Sequence, residues 1–291
     1  MVVVAVAGTR PARPRDAARA WTRRWGLALP IAGFLAVFVV YPIALLGAES
    51  LAGPRGLTFD AYRTLATTAY YQAALATSLL IATVTSALST GFGVLFALAL
   101  TWGRLAGRRL VEQLLTLMVV VPSFLVAFAL IFVYGTSGLV NLGAMLLFGL
   151  AQPPLDFLYS WKGVVMADMI VFTPFVLQAV LAVLRLIDPA LIEMSQSLGA
   201  GTGVTVRRVV LPLAASGIFA GSSVAFLLAL NEIGVVLFLG STSVVTLPVV
   251  VYSEAFVNQS LQMSAAAAVV ASVMSLALFA VYRRALRSVL S

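Results

Sequence analysis

The sequence predicts an all-α integral membrane domain with six crossing helices, and three observations predict it. The chain has 291 residues, of which 62% are hydrophobic and only 10% charged, against about 45–50% and about 25% in soluble domains. Its apolar residues gather in long runs separated by short, arginine-bearing stretches. No alternating pattern of the kind that builds a membrane β-barrel is visible, and backbone exposed to lipid must otherwise be helical to satisfy its own polar groups.

Taken in order, residues 1–26 form a basic tail. Arg10, Arg13, Arg15, Arg19, Arg23 and Arg24 stand there among prolines and alanines. The tail is expected to be disordered and cytoplasmic, resting on anionic lipid at about 1 kcal/mol per basic residue near the surface. The short MVVVAVAG run precedes the basic stretch, the wrong order for a cleaved signal peptide. A helix needs roughly 20 apolar residues to cross about 30 Å of hydrocarbon. Residues 27–47, 73–102, 111–134, 163–185, 213–240 and 262–282 qualify. Segment 137–150 (SGLVNLGAMLLFGL) is too short to span and is expected at the interface or against the bundle. The membrane domain extends over 27–285, leaving 286–291 as a second cytoplasmic tail.

Arginine placement orients the bundle, because basic residues concentrate on the cytoplasmic side. With the N-terminus inside, all but Arg55, Arg63 and Lys162 of the 18 basic residues fall on inner segments. The expectation is N-in and C-in, with 186–212 in the cytoplasm and the chain in a bacterial inner membrane. The net charge of +8 therefore reports topology and lipid contact, not nucleic-acid binding.

What is missing excludes whole classes of chemistry. Without cysteine there are no disulfides, thiolate nucleophiles or sulfur metal sites; without histidine there are no Ser-His-Asp triads, zinc HExxH sites or imidazole relays. The one lysine, Lys162, lies in FLYSWKG, which is no phosphate-binding loop. No catalytic or metal site is expected, no cofactor is expected on this chain, and any ATP it uses must be bound by a partner.

Residues 193–212 (EMSQSLGAGTGVTVRRVVLP) break the apolar pattern. Asp188-Pro189 suits a helix start, an acceptor for free N–H groups followed by a residue preset for the first turn. Leu191, Met194 and Leu198 follow as a short apolar stripe expected to pack on the protein's own helix ends. Gly199 falls where a left-handed residue would end that helix. A second short helix is expected from about Val204 to Val210, with Pro212 opening the fifth span. The GAGTG run is not read as a phosphate loop, since it lacks a preceding strand and the full glycine spacing. An ordinary loop, bent by glycine and held in place by arginine, remains an open reading of these residues.

This segment resembles the cytoplasmic signature of permease subunits of ATP-binding-cassette importers: Glu-Ala-Ala, three residues, Gly, nine residues, Ile-x-Leu-Pro. Glu193, Gly199 and Val209-Val210-Leu211-Pro212 keep that spacing, while Met194, Ser195 and Val209 depart from the pattern. The stretches PSFLVAFALIFVYGTSGLVN (122–141), PPLDFLYSWKGVVMADMIVFTPFVL (153–177) and NEIGVVLFLGSTSVVTLPVVVYSEA (231–255) look like permeases of 2-aminoethylphosphonate importers. The Asn-Glu-Ile-Gly run also resembles a stretch of sulfate and molybdate permeases. The similarity covers roughly residues 110–285. It implies a six-helix MetI-like permease with a coupling helix between helices 4 and 5, within segment 188–212. It implies ATPase subunits carrying ATP and Mg, a second permease subunit (identical or homologous) and an extracytoplasmic substrate-binding protein. By the same resemblance Glu193 and Gly199 shape the coupling helix, Arg207 and Arg208 meet the ATPase, and Leu211-Pro212 anchors the segment.

Two carboxylates lie within spans, Asp168 and Glu232, where each costs about 2.5–3.5 kcal/mol at a helix centre. Glu232 and Asn231 either line a solute pathway, with the carboxylate meeting a substrate ammonium, or hydrogen-bond between helices. Asp168 reads first as such an interhelical partner and second as a pathway residue. No arginine or lysine lies deep in a span, so a phosphonate would meet N–H groups and hydroxyls such as Thr173, Ser222 and Ser223. Pro122 and Pro174, placed inside spans three and four, and Gly91 and Gly93 in span two either bend the pathway helices or merely pack. The rival mechanism is an ion-gradient-driven secondary transporter with Glu232 and Asp168 as its proton sites.

Overall fold

The computed structural model describes residues 26, 28–54, 56–103, 107–240 and 244–290, with side chains through Arg284. The N-terminal arginines, Arg55, Arg104 and the side chain of Arg287 lie outside the described residues. Among the described residues, six helical stretches are long and apolar enough to cross a membrane: Ala28–Ser50, Ala69–Trp102, Ser123–Phe148, Trp161–Leu184, Thr202–Leu230 and Leu261–Arg284. The expected number of spans and the helical class stand; several boundaries move.

The described residues up to Glu49 fall in one unit and those from Ser50 onward in a second. The first holds α1 (Ala28–Leu35), a π turn (Ala36–Val40) and all but the last residue of α2 (Tyr41–Ser50). The π turn ends with the Tyr41 N–H bonded to the Ala36 carbonyl, immediately before Pro42. Proline has no N–H to donate and its ring crowds the carbonyl four residues back, so a wider turn ahead of it relieves both problems.

The second unit opens on a small antiparallel hairpin, β1 (Ala52–Gly53) with β2 (Gly56–Leu57), and a short amphipathic helix α3 (Asp60–Thr67). Then follow α4 (Ala69–Trp102), α5 (Arg108–Leu117), α6 (Ser123–Tyr134), α7 (Leu139–Phe148), α8 (Trp161–Leu184), α9 (Pro189–Ser197), α10 (Thr202–Thr205), a second π turn (Val206–Val210), α11 (Leu211–Leu230), α12 (Gly234–Leu239), α13 (Leu247–Phe256) and α14 (Leu261–Leu290).

The core is α4, α8 and α11 packed on one another. Of these α8 is central: 67% of its most apolar window is buried, against 33% for α4. Small residues let the three approach closely, as expected where packing rather than the hydrophobic effect drives association in lipid. A methyl placed on Gly93 of α4 would come within 2.7 Å of Val176 Cβ, and one on Gly221 of α11 within 2.9 Å of Val176 Cα. Val176 of α8, fully buried, thus sits between two glycines on two different helices. Gly93 is a packing position, which decides one of the two readings left open for it.

The expected third span, 111–134, is corrected. Residues 108–117 are a separate amphipathic helix, and the apolar stretch that qualifies as a span is α6 with α7, broken at Gly135–Gly138. Pro122 is consequently not inside a span. It stands at the N-cap of α6, where a residue without an N–H costs nothing. Pro174, by contrast, lies within α8 as expected. The apolar run 137–150 becomes α7, held to the end of α6 by the buried Asn141. Its amide donates to the carbonyls of Gly135 and Leu155 at 2.9 Å each, and its Oδ1 accepts from the Leu155 N–H.

The expected fifth span, 213–240, is corrected at both ends. Its helix begins at Thr202 and stops at Leu230. Pro212 does not open it but lies inside it. The preceding π turn, with the Leu211 N–H bonded to Val206, repeats the arrangement before Pro42.

Candidate functional site

Residues 188–212 form a helix and a glycine bend where the spacing predicts them, but the second short helix expected over Val204–Val210 is continuous with the fifth span, which runs from Thr202 to Leu230. Asp188 caps α9, its Oδ1 accepting from the Ala190 N–H at 2.9 Å, with Pro189 in the first turn. Gly199 closes it with φ +85°. The Gly199 N–H donates to Gln196 at 2.9 Å and the Ala200 N–H to Ser195 at 3.2 Å, the paired bonds of a Schellman cap. The hydroxyls of Ser195 and Thr205 lie 3.0 Å apart across the bend, locking α9 to α10.

One expectation about this segment is overturned. The stripe of Leu191, Met194 and Leu198 does not pack on the protein's own helix ends: these residues are 38%, 58% and 84% exposed. Ile192 turns inward against the core instead, because the short bend at Gly199 and the Ser195–Thr205 contact rotate that edge of α9 toward α10. The apolar stripe is therefore presented outward. Glu193, Arg207 and Arg208 are exposed beside it, and Arg207 and Arg208 line a shallow groove with Gly201, Gly203 and Val204. Leu211 is half-buried and Pro212 exposed, while the residue that roots the segment in the core is Val210, 1% exposed.

The second cluster gathers at the end of α11. Asn231 finishes that helix, its amide donating to the Leu227 carbonyl at 2.8 Å and to Ser275 Oγ of α14 at 3.3 Å. Glu232 lies two residues before the next one. Its Oε1 accepts from the Val235 N–H at 3.0 Å and from Ser123 Oγ at 2.9 Å, so the carboxylate serves one free N–H in the first turn of α12, where negative charge is favoured. A methyl on Gly234 would meet Ser123 Oγ at 2.8 Å and Glu232 Oε1 at 3.0 Å, which is why the residue after Ile233 has no side chain.

Asp168 is fully buried in α8. Neither of its oxygens has a hydrogen-bond partner among the described residues. The hydroxyls named from sequence are spoken for within the bundle. The Ser86 hydroxyl of α4 donates to the Ser222 carbonyl at 3.0 Å and lies 3.3 Å from the Ser222 hydroxyl, and Ser223 donates to the Phe219 carbonyl at 2.6 Å. Thr173 donates to Met169 at 2.6 Å, back-bonding to the turn next to Pro174. Glu232 and Ser123 are thus joined directly beside Asn231, while Ser222 meets α4 through Ser86 and Ser223 bonds within its own helix.

Sequence reasoning missed one carboxylate. Glu254 of α13 is 5% exposed and accepts from the Tyr71 hydroxyl at 2.9 Å. A signal was present, a single acid inside the apolar run LPVVVYSEAF, but no six-span reading of the chain assigns that run a helix.

Comparison with known proteins agrees with this architecture. The model of the family described as binding-protein-dependent transport system inner membrane component matches residues 89–290. A protein of Salmonella paratyphi A named for the PhnU permease of a 2-aminoethylphosphonate transport system is 35% identical over 252 residues, covering 86% of this chain and 87% of that protein. The sulfate transport system permease protein CysT of Salmonella typhimurium is 32% identical over 167 residues, 57% of this chain and 58% of that one. Among solved structures, the crystal structure of a bacterial ABC transporter involved in the import of the acidic polysaccharide alginate superposes with a TM-score of 0.80 at 20% identity, covering 94% of this chain and 98% of that one; that likeness concerns the fold. With a family model spanning most of the membrane domain and a relative matched almost end to end, the chain belongs to the binding-protein-dependent transport system inner membrane components.

Proposed function

We propose that the chain is the permease subunit of an ATP-driven importer and forms the membrane pathway for 2-aminoethylphosphonate or a closely related small phosphonate or oxyanion. The single observation that carries the coupling part is the outward apolar edge of α9, Leu191, Met194 and Leu198, framed by exposed Glu193, Arg207 and Arg208. A soluble-facing helix that keeps three large apolar side chains exposed is built to be covered by a partner. The partner is an ATPase subunit binding ATP and Mg, which this chain has no loop to hold. Its closure moves α9 and, through the Ser195–Thr205 contact and the buried Val210, the continuous helix that runs from Thr202 into the bundle. No covalent chemistry takes place on this chain.

The remaining parts follow the same reading. A second permease subunit completes the pathway, and an extracytoplasmic binding protein supplies solute affinity, since no basic residue lies deep in a described span. The N- and C-termini face the cytoplasm, as the arginine distribution requires. The substrate rests on the 35% identity to PhnU across 86% of the chain. On the pathway, Asp168 with its unpartnered oxygens is the group left to meet a substrate ammonium, while Glu232 is engaged in capping α12.

The test is uptake of radiolabelled 2-aminoethylphosphonate into cells with and without the gene. Expected is uptake that needs this chain, collapses on ATP depletion, and survives an uncoupler while ATP is maintained. Uptake that follows the ion gradient rather than ATP overturns the coupling mechanism. Uptake of sulfate or molybdate in place of the phosphonate overturns the substrate.

A further inference from the structure

Helix α5 (Arg108–Leu117) has no part in the coupling segment or the cluster near Glu232, and its surface divides into three faces. Leu115 packs toward the core, followed by Met118 and Val121 just beyond the helix, and Arg108 donates to the Thr101 carbonyl at 3.4 Å. Arg109, Glu112, Gln113 and Thr116 form a polar strip at i, i+3, i+4 and i+7, and Glu112 is ion-paired with Arg185 at the end of α8. The third face is Leu110, Leu114 and Leu117, again at helical spacing, 60%, 55% and 58% exposed.

We propose that α5 lies in the membrane–water interface on the α9 side of the bilayer, with Leu110, Leu114 and Leu117 among the acyl chains and Arg109 among anionic headgroups. Three facts on the molecule select lipid as the occupant. Residues 103–107 and 118–122 tie α5 to the end of the α4 span and the start of α6; five residues reach at most about 17 Å, so the helix stays close to the level where those spans leave the membrane. The pair with Arg185 holds it beside the cytoplasmic end of α8, three residues before Asp188 opens α9. The charge is also right: Glu112 is neutralised by Arg185, leaving exposed Arg109 for phosphate. A short helix with an apolar edge and a basic flank is the form that settles at a headgroup boundary.

The chain has no cysteine, so single-cysteine variants report one position each without a background. Leu114→Cys and Gln113→Cys, in the full-length chain in vesicles of phosphatidylethanolamine and phosphatidylglycerol, are spin-labelled and compared for collision with oxygen, which partitions into lipid, and with a water-soluble nickel chelate. Leu110→Cys serves as a second probe of the apolar edge. Expected is an oxygen-to-nickel accessibility ratio at least fivefold higher at 114 and 110 than at 113. Equal ratios at the three positions, meaning the edge faces water or the helix is not formed, overturn the proposal. So does shielding of 114 and 110 from both reagents, which means that a protein surface, a second copy or another subunit, covers the edge.

Discussion

Ser123 donates its hydroxyl to the Glu232 carboxylate across 2.9 Å, joining the first residue of α6 to the break between α11 and α12, 109 positions away in sequence. The same carboxylate oxygen accepts the Val235 N–H, so one side chain ends a helix–helix gap and starts a new helix. Hydrogen bonds to a charged group contribute about 1.5–3 kcal/mol, and an orphaned donor costs about 1–3 kcal/mol. Glu232→Ala is therefore expected to lower the midpoint of thermal unfolding in detergent by several degrees. Glu232→Gln, whose amide oxygen still accepts, should lower it less. Unchanged thermal stability in Glu232→Ala, with uptake lost, would assign Glu232 to the solute instead of to the fold.

The packing of Val176 between Gly93 and Gly221 makes a non-additive pair. Gly93→Ala puts a methyl within 2.7 Å of Val176 Cβ, and overpacking of this kind costs about 1–3 kcal/mol. Val176→Ala should be destabilising alone, through lost contacts, yet should restore part of the stability of Gly93→Ala. A double-mutant cycle measures the coupling; strictly additive losses would mean that α4 and α8 can separate to absorb the methyl.

Gly199 stands in open space, with no atom within 4 Å of an added methyl, but at φ +85°. Any cost of Gly199→Ala is therefore conformational, about 1–2 kcal/mol for a left-handed L-residue, and Gly199→Asn should cost less because asparagine visits that region more readily. Expected is partial loss of uptake in the alanine variant and milder loss in the asparagine variant, with unchanged amounts of chain in the membrane. Equal loss in both would point to a contact made by the glycine rather than to its conformation.

The outward face of the 188–212 segment gives the most direct separation of folding from coupling. Reversing charge in Arg207→Glu/Arg208→Glu, or placing a charge on the apolar edge with Met194→Glu, touches exposed side chains and should leave the bundle folded. Both are expected to cut ATP-driven uptake by at least tenfold and to reduce ATPase recovered with the chain in mild detergent. Wild-type uptake in both variants removes the segment from the coupling role.

Much of this protein was legible in its sequence. Six spans, the helical class, the Asp188 cap, the Gly199 bend and the position of Pro174 follow from hydropathy, length and the conformational limits of single residues, all of which are local. The third and fifth spans were misdrawn because hydropathy does not register where an apolar helix stops. Pro122 reads the same inside a span as at its cap, and Asn231-Glu232 reads the same as an interior pair as at a break. The orientation of the Leu191, Met194 and Leu198 stripe was inverted for a related reason: an apolar edge on a short helix has two possible neighbours, and only the rotation set by Ser195 and Thr205 shows which edge is covered.

By itself the sequence determined how many times the chain crosses and which short segment leaves the apolar pattern, since burial in lipid depends on composition summed along one stretch. The tertiary structure decided that Glu232 is held by Ser123 and that Glu254 is buried against Tyr71. Each of those depends on a donor or acceptor supplied from a distant part of the chain, and a buried polar group takes whichever partner the packing of the helices brings to it.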